Sequence, residues 1–400
     1  MTVRPSIRAI HRWAGLVLGL LVAVICLSGS TVVLINDLER WIHAAPPAVR
    51  GAPAAGEPRV GFDLVVGRLK AAFPGCSPDW YSTAAMNDAI DVVWMAEPVA
   101  DGGEETYFRA FVDPRSGELL GSSRGSRVSA VLDWLADLHM TLFAGAVGTV
   151  VIGSTGLLLT GFTVTGLILW WPGLRRWGTA FRLRWAAGGF LRHYDAHRVV
   201  GVASAPLLVV IAISGTMFYF DWTRNLVFNA LGGRREELRA WMRPEDQQPK
   251  AIVKQGPPLP MDRLAERALA VAPGLTVAAI VTHTHAADEP WEVQCTYAGN
   301  LDPQAGGVVV HLDPVSGAVL LVEDGRGGSA GKWVAHHSWA LHAGWWGVPG
   351  AWWGWVLRAL YMVIGTAPTV LLVTGVGIWL HRRRLARVAR ALRAELPGHA

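Results

Sequence analysis

Charge and cysteine are both scarce in this sequence. Only 17% of its 400 residues are Asp, Glu, Lys or Arg, and only three are cysteine. Three cysteines exclude a small disulfide scaffold. Cys26 falls within an uncharged run, while Cys76 and Cys295 are too isolated to predict a bond from sequence. No Cys-x-x-Cys-His occurs, so covalent haem attachment is excluded. The glycine-rich stretch 325–331 reads as part of a long loop without a strand-to-helix context, and no segment carries a Rossmann fingerprint, so no nicotinamide or flavin domain is expected. What the chain has instead is apolar: 52% hydrophobic residues, with 45 glycines and 20 tryptophans. That excludes disorder and collagen-like repeats.

Four runs carry no acidic or basic residue: 13–36, 140–174, 199–220 and 359–380. A helix needs roughly 20 apolar residues to cross a bilayer, so each run can cross once. The first is too long for the apolar part of a secretory signal and reads as a retained anchor. The second exceeds one crossing, which places its span at 148–172. The net charge of +5 suggests nucleic acid until the charges are placed along the chain. Segments 1–12, 173–198 and 382–400 together carry +13, whereas 37–138 and 221–358 carry −8. Basic residues stay on the cytoplasmic side. Both termini are therefore expected inside and both long loops outside, in a chain whose partner is a lipid bilayer and not nucleic acid.

The halves of the sequence repeat. His11-Arg12-x-x-Gly15 is followed by Ser28-Gly29, and His197-Arg198-x-x-Gly201 by Ser214-Gly215, with identical spacings. Each long loop carries an Asp-Pro-x-Ser-Gly turn, at 113–117 and 313–317, flanked by strand-forming residues. Leu138-His139 and Leu341-His342 come next, and Val164-Thr165-Gly166 and Val373-Thr374-Gly375 close the second and fourth runs. Two parallel repeats related by an axis along the membrane normal would bring His11 to His197 at the inner surface and His139 to His342 at the outer one.

Two imidazoles facing each other across a bundle suit axial ligation of a non-covalent b-type haem. Two haems are therefore expected, with Gly15, Gly201, Gly29 and Gly215 leaving room for the macrocycles. His193, one turn before His197, and His381, in a basic stretch, are reserve ligands for the inner site. Trp-rich residues 333–355 read as an interfacial aromatic belt. The segment 336–355, which combines His336, His337 and His342 with this aromatic run, is the expected wall of a substrate entrance.

Taken together, the motifs His11-Arg-x-x-Gly, Leu138-His139, Thr165-Gly166…Trp170-Trp171-Pro172, His197-Arg-x-x-Gly and Leu341-His342-x-Gly344 resemble those of PepSY-associated transmembrane proteins. That family includes bacterial inner-membrane ferric-siderophore reductases. The resemblance covers nearly the whole chain. It implies a mostly α membrane protein: a four-transmembrane-helix bundle built from two parallel repeats, with two periplasmic α+β PepSY-like domains. The implied order is a first transmembrane helix (1–36), PepSY-like domain 1 (37–138) and an outer histidine segment with the second span (139–172). A cytoplasmic loop (173–198), the third span (199–221) and PepSY-like domain 2 (222–335) follow. A histidine- and Trp-rich segment with the fourth span (336–381) and a basic tail (382–400) complete it. Residues 62–73 and 261–272 are the expected domain helices.

The expected activity is oxidoreduction: a di-haem b electron carrier reducing a periplasmic ferric siderophore or other Fe3+ chelate. Its electrons would come from a membrane quinol or a reductase partner. The alternative is a membrane-anchored PepSY protein that binds or regulates an envelope partner without redox activity.

Overall fold

The computed structural model describes residues 3–395, apart from 45–58, 88, 99–104, 172–180, 187, 244, 254, 272, 283–288, 298, 303, 304, 306 and 348–350. The first helices are α1 (Val3–Val32), α2 (Ile35–His43), α3 (Phe62–Ala72), α4 (Ala84–Asn87), α5 (Arg127–Met140) and α6 (Gly145–Trp170). The later ones are α7 (Gly189–Tyr219), α8 (Asp221–Ala230), α9 (Met261–Val271), α10 (Ala330–His336), α11 (Ser338–Ala343) and α12 (Trp352–Glu395). The strands of the first half are β1 (Ser77–Ser82), β2 (Asp91–Glu97), β3 (Thr106–Val112) and β4 (Leu119–Ser122). Those of the second are β5 (Thr276–Val281), β6 (Trp291–Thr296), β7 (Val308–Leu312) and β8 (Val319–Asp324).

These elements form two units. The first takes residues up to Val33, Trp134–Phe220 and the chain from Ala359. It contains the four helices that, among the described residues, are long and apolar enough to cross a membrane: α1, α6, α7 and α12. One cluster of buried residues draws on all four, with Val22, Leu159, Leu208, Ala212 and Ala367 in contact. Small residues allow the helices to approach closely: an added Cβ at Gly365 would collide with Ser30, and one at Gly156 with Thr216.

Three of these helices outrun their uncharged stretches, α1 by starting at Val3 and taking in Arg4, Arg8 and Arg12. α7 starts ten residues early, at Gly189. It tolerates the buried Asp195 because Arg184 grips that carboxylate with both Nε (2.8 Å) and Nη2 (2.9 Å). α12 continues to Glu395 through an Ala-, Leu- and Arg-rich tail whose residues favour helix and include neither Gly nor Pro.

The second unit comprises Leu34–Asp133 and Asp221–Arg358. Its strands make one antiparallel sheet in the order β4-β3-β2-β1-β5-β6-β7-β8, which reads the same from both ends. The two expected domains, 37–138 and 222–335, are thus not separate sheets. β1 pairs with β5 through Trp80–Val281, Tyr81–Ile280 and Ser82–Ala279. Each four-stranded half alone would expose β1 or β5 as an unpaired edge, and pairing them removes both liabilities. A single core serves both halves, with Val65 and Leu69 of α3 joined by Leu264 and Ala268 of α9 and by Val93 and Val310 from the sheet.

α3 and α9 cap one another. Asp63 accepts the N–H groups of Met261 (2.9 Å) and Asp262 (3.1 Å), while Asp262 accepts those of Phe62 (2.7 Å) and Asp63 (3.2 Å). Each carboxylate satisfies two orphan donors of the other helix. Both Asp-Pro turns form as expected, closed by Gly117 N–H on Asp113 (2.7 Å) and Gly317 N–H on Asp313 (2.8 Å). The two glycines take φ of 69° and 68°, the left-handed region where a side chain is strained. All three cysteines are free.

Candidate functional site: paired histidines of the helical unit

His11 of α1 and His197 of α7 come together, their ring centres 6.3 Å apart and their planes nearly perpendicular. What holds each ring fixes its tautomer. His197 Nδ1 lies 3.0 Å from the carbonyl oxygen of Leu371, which can only accept, so Nδ1 carries the proton. Thr374 Oγ1 is also 3.0 Å away and gives its own proton to the carbonyl of Val370 at 2.7 Å. His11 Nδ1 lies 2.8 Å from Thr165 Oγ1, which donates to the Gly161 carbonyl at 2.7 Å. Thr165 therefore accepts from His11. Both rings are left with an Nε2 lone pair, and neither Nε2 has a hydrogen-bond partner among the described residues. An acceptor on Nδ1 with a bare Nε2 is an arrangement that suits an imidazole to metal binding.

The contacts match between the halves. His11 of α1 reaches α6 at Thr165 and Gly166, and His197 of α7 reaches α12 at Thr374 and Gly375. An added Cβ on either glycine would lie 3.5 Å from Cε1 of the neighbouring imidazole. These threonines and glycines join the candidate site by contact; histidine spacing does not point to them, but the repeated Val-Thr-Gly does. At Gly15 an added Cβ would meet open space. Gly201 differs from expectation: it faces Leu371 at ordinary contact distance.

The outer residues are more mixed. His139 ends α5, and its Nδ1 donates to the carbonyl of Ile25 at 2.9 Å. A break then separates it from α6, with Leu142 and Phe143 at φ of 52° and 57°. Gly29 makes room for this imidazole and not for a macrocycle, because a Cβ there would lie 2.6 Å from His139 Cε1. Gly215 lies on α7 between the buried Ser214 and Thr216. His342 lies near the end of α11 in the sheet-bearing unit.

Two expectations need correction. His336 is only 5% exposed, and an added Cβ at Gly325 would collide with it, so it presents no open face to a substrate. His337 is held by Asp302, with Nδ1 donating to Oδ2 at 2.7 Å, and packs against Trp333 and Trp346. The reserve histidines have a different neighbour from the one expected. His193 and His381 face each other, 5.9 Å between ring centres.

Over 269 residues the chain is 27% identical to an uncharacterized protein of Pseudomonas aeruginosa, covering 65% of this chain and 66% of the relative. The match thus spans just under two thirds of that protein's length. The model of the PepSY-associated TM region matches residues 8–382, nearly the whole chain, and the chain belongs to that family.

Proposed function

We propose that this chain is a bacterial inner-membrane electron carrier that holds two b-type haems and reduces a ferric chelate, such as a ferric siderophore, on its outer side. The observation that carries this reading is the inner imidazole pair. Two Nε2 lone pairs stand free of protein partners, on rings 6.3 Å apart. A first-row metal sits about 2 Å from an imidazole nitrogen, so one iron fits between rings at that separation. A haem bound there would supply one-electron exchange between ferric and ferrous iron.

The chain's own residues prepare that position. Thr165, Thr374 and the Leu371 carbonyl hold the Nδ1 protons and so leave the lone pairs on Nε2. The missing side chain at Gly15 leaves space beside His11. The second haem rests on the sequence repeat, which matches His139 to His342, and on the proton that His139 Nδ1 commits to Ile25. The charge asymmetry supports cytoplasmic termini and periplasmic loops. Reduction would release the metal because hard oxygen ligands hold Fe(III) better than Fe(II).

Purified full-length protein, expressed with haem supplementation, tests the reading. Two b haems per polypeptide by pyridine haemochrome, reoxidised anaerobically by ferric siderophores, are expected. A protein without a Soret band would instead favour a non-redox PepSY protein that binds an envelope partner.

A further inference from the structure

The repeat is broken at one place, and the break carries chemistry. Four residues of the second half converge at the inner end of α7 and α12: Gly189, His193, Gly377 and His381. Aligning His197 with His11 and Thr374 with Thr165 gives their first-half counterparts as Val3, Ile7, Ile168 and Pro172. Nothing of this cluster exists in the first half.

The glycines and histidines interlock. A Cβ at Gly189 would lie 3.0 Å from His381 Nε2, and one at Gly377 would lie 2.8 Å from His193 Cδ2. Each helix is thus cut away opposite the other's imidazole. The rings stand 5.9 Å apart, tilted by 45°, and both are half-buried. Among the described residues neither has a hydrogen-bond or ion-pair partner. Phe190 meets His381 edge-on at 6.4 Å and stacks on Tyr194 at 6.2 Å, and the Arg382 guanidinium lies 5.9 Å from the Phe190 ring. His193 precedes His197 by one helical turn and so lies on the same face of α7.

We infer that His193 and His381 form a binding site for a hydroquinone, which makes this end of the bundle the electron entrance; the inference rests on the electron-carrier reading above. Two unpaired imidazoles offer acceptors to two hydroxyl groups, and Phe190 and Tyr194 offer aromatic faces to the ring between them. Both helices belong to candidate membrane spans, so the ligand reaches the site from the lipid phase. A metal ion fits poorly: no cluster of three ligating side chains occurs among the described residues, and Arg382 places positive charge nearby. The same charge favours an oxygen that is losing its proton. Oxidation breaks both O–H bonds and yields the quinone. The two protons pass to His193 and His381 and on to water, and two electrons reduce two equivalents of ferric iron to ferrous, one at a time.

The test uses full-length protein in detergent, wild type, His193→Ile (the first-half residue), His193→Gln and His381→Gln. The first measurement is binding of the hydroquinone analogue 2-heptyl-4-hydroxyquinoline N-oxide by fluorescence quenching. The second is anaerobic haem reduction by duroquinol, with dithionite as the reference reductant. Stoichiometric binding to wild type, weakened about ten-fold by loss of either imidazole, is expected. Duroquinol reduction should slow by a similar factor while the haem spectrum and dithionite reduction stay unchanged. Wild-type binding and wild-type duroquinol rates in all three variants would overturn the site. Loss of haem from them would overturn it differently, by making the histidines iron ligands. The binding measurement needs no haem, so a haem-free protein would sink the electron-carrier reading while analogue binding still decides the hydroquinone site.

Discussion

Thr165 is the sole hydrogen-bond partner of His11 among the described residues, accepting from Nδ1 at 2.8 Å, whereas His197 divides its Nδ1 proton between Thr374 Oγ1 and the Leu371 carbonyl, both at 3.0 Å. The two halves therefore differ in how firmly they set the tautomer. Thr165→Val leaves the His11 Nδ1–H without an acceptor and frees the ring to carry its proton on Nε2. Thr374→Val leaves the carbonyl in place. Loss of the acceptor that holds a metal-binding imidazole typically costs about 10–100-fold in metal affinity. Haem transfer to apomyoglobin should be faster by about that factor in Thr165→Val, close to wild type in Thr374→Val, and restored in Thr165→Ser. Equal effects from the two valines would contradict this account.

Gly29→Ala tests whether His139 is positioned by α1. A Cβ there would fall 2.6 Å from His139 Cε1, closer than real contacts permit. Overpacking of this kind costs about 1–3 kcal/mol, and the imidazole must shift away from the Ile25 carbonyl. Loss of one haem of the proposed two is expected, with the inner haem signals retained. A variant that keeps both, with unchanged redox midpoints, would detach Gly29 from the outer site.

Local features were legible in the sequence, and tertiary ones were not. Helices expected at 62–73 and 261–272 occur at Phe62–Ala72 and Met261–Val271, because an amphipathic pattern and flanking Gly or Pro fix a helix locally. The Asp-Pro turns and the inner histidine pair follow likewise from spacing and repeat. The β1–β5 pairing was not readable, since an edge strand looks alike whether it faces water or a second copy of itself. Gly29 reads as room for a macrocycle because sequence shows a missing side chain but not what fills the gap, here His139. His336 and His337 are adjacent in sequence, yet one is buried and the other tied to Asp302, a contact that spans 35 positions.

The topology rests on charge and is open to a direct test. Segments 37–138 and 221–358 carry −8 against +13 in the remaining hydrophilic segments. Alkaline phosphatase fused within residues 221–250 should be active and a cytoplasmic reporter at the same position silent. The opposite result would invert the protein and exchange the inner and outer histidine pairs.

Asp313 gives the sheet-bearing unit an acid-sensitive point. It is fully buried. Oδ1 accepts from Val315 N–H (3.0 Å) and from both N–H (2.7 Å) and Oγ (2.9 Å) of Ser316, while Oδ2 accepts from Ile252 (2.6 Å) and Val253 (2.8 Å) N–H. Burial by itself would push this carboxyl up, but the donors from Ser316, Val253 and Ile252 outweigh it and hold the group at about 2. A depressed carboxylate stabilises the folded chain above its ordinary value near 4, and that contribution disappears as pH falls from there towards 2. The contribution is about 2 kcal/mol. Asp313→Asn keeps one acceptor but turns an amide NH2 towards backbone N–H groups, so it should cost a similar amount at pH 7. Thermal unfolding of the full-length protein between pH 6 and 2.5 separates the two chains. Wild type should lose stability below pH 4, and the gap to Asp313→Asn should narrow there. A gap that stays constant to pH 2.5 would mean that the carboxylate charge adds nothing to the turn.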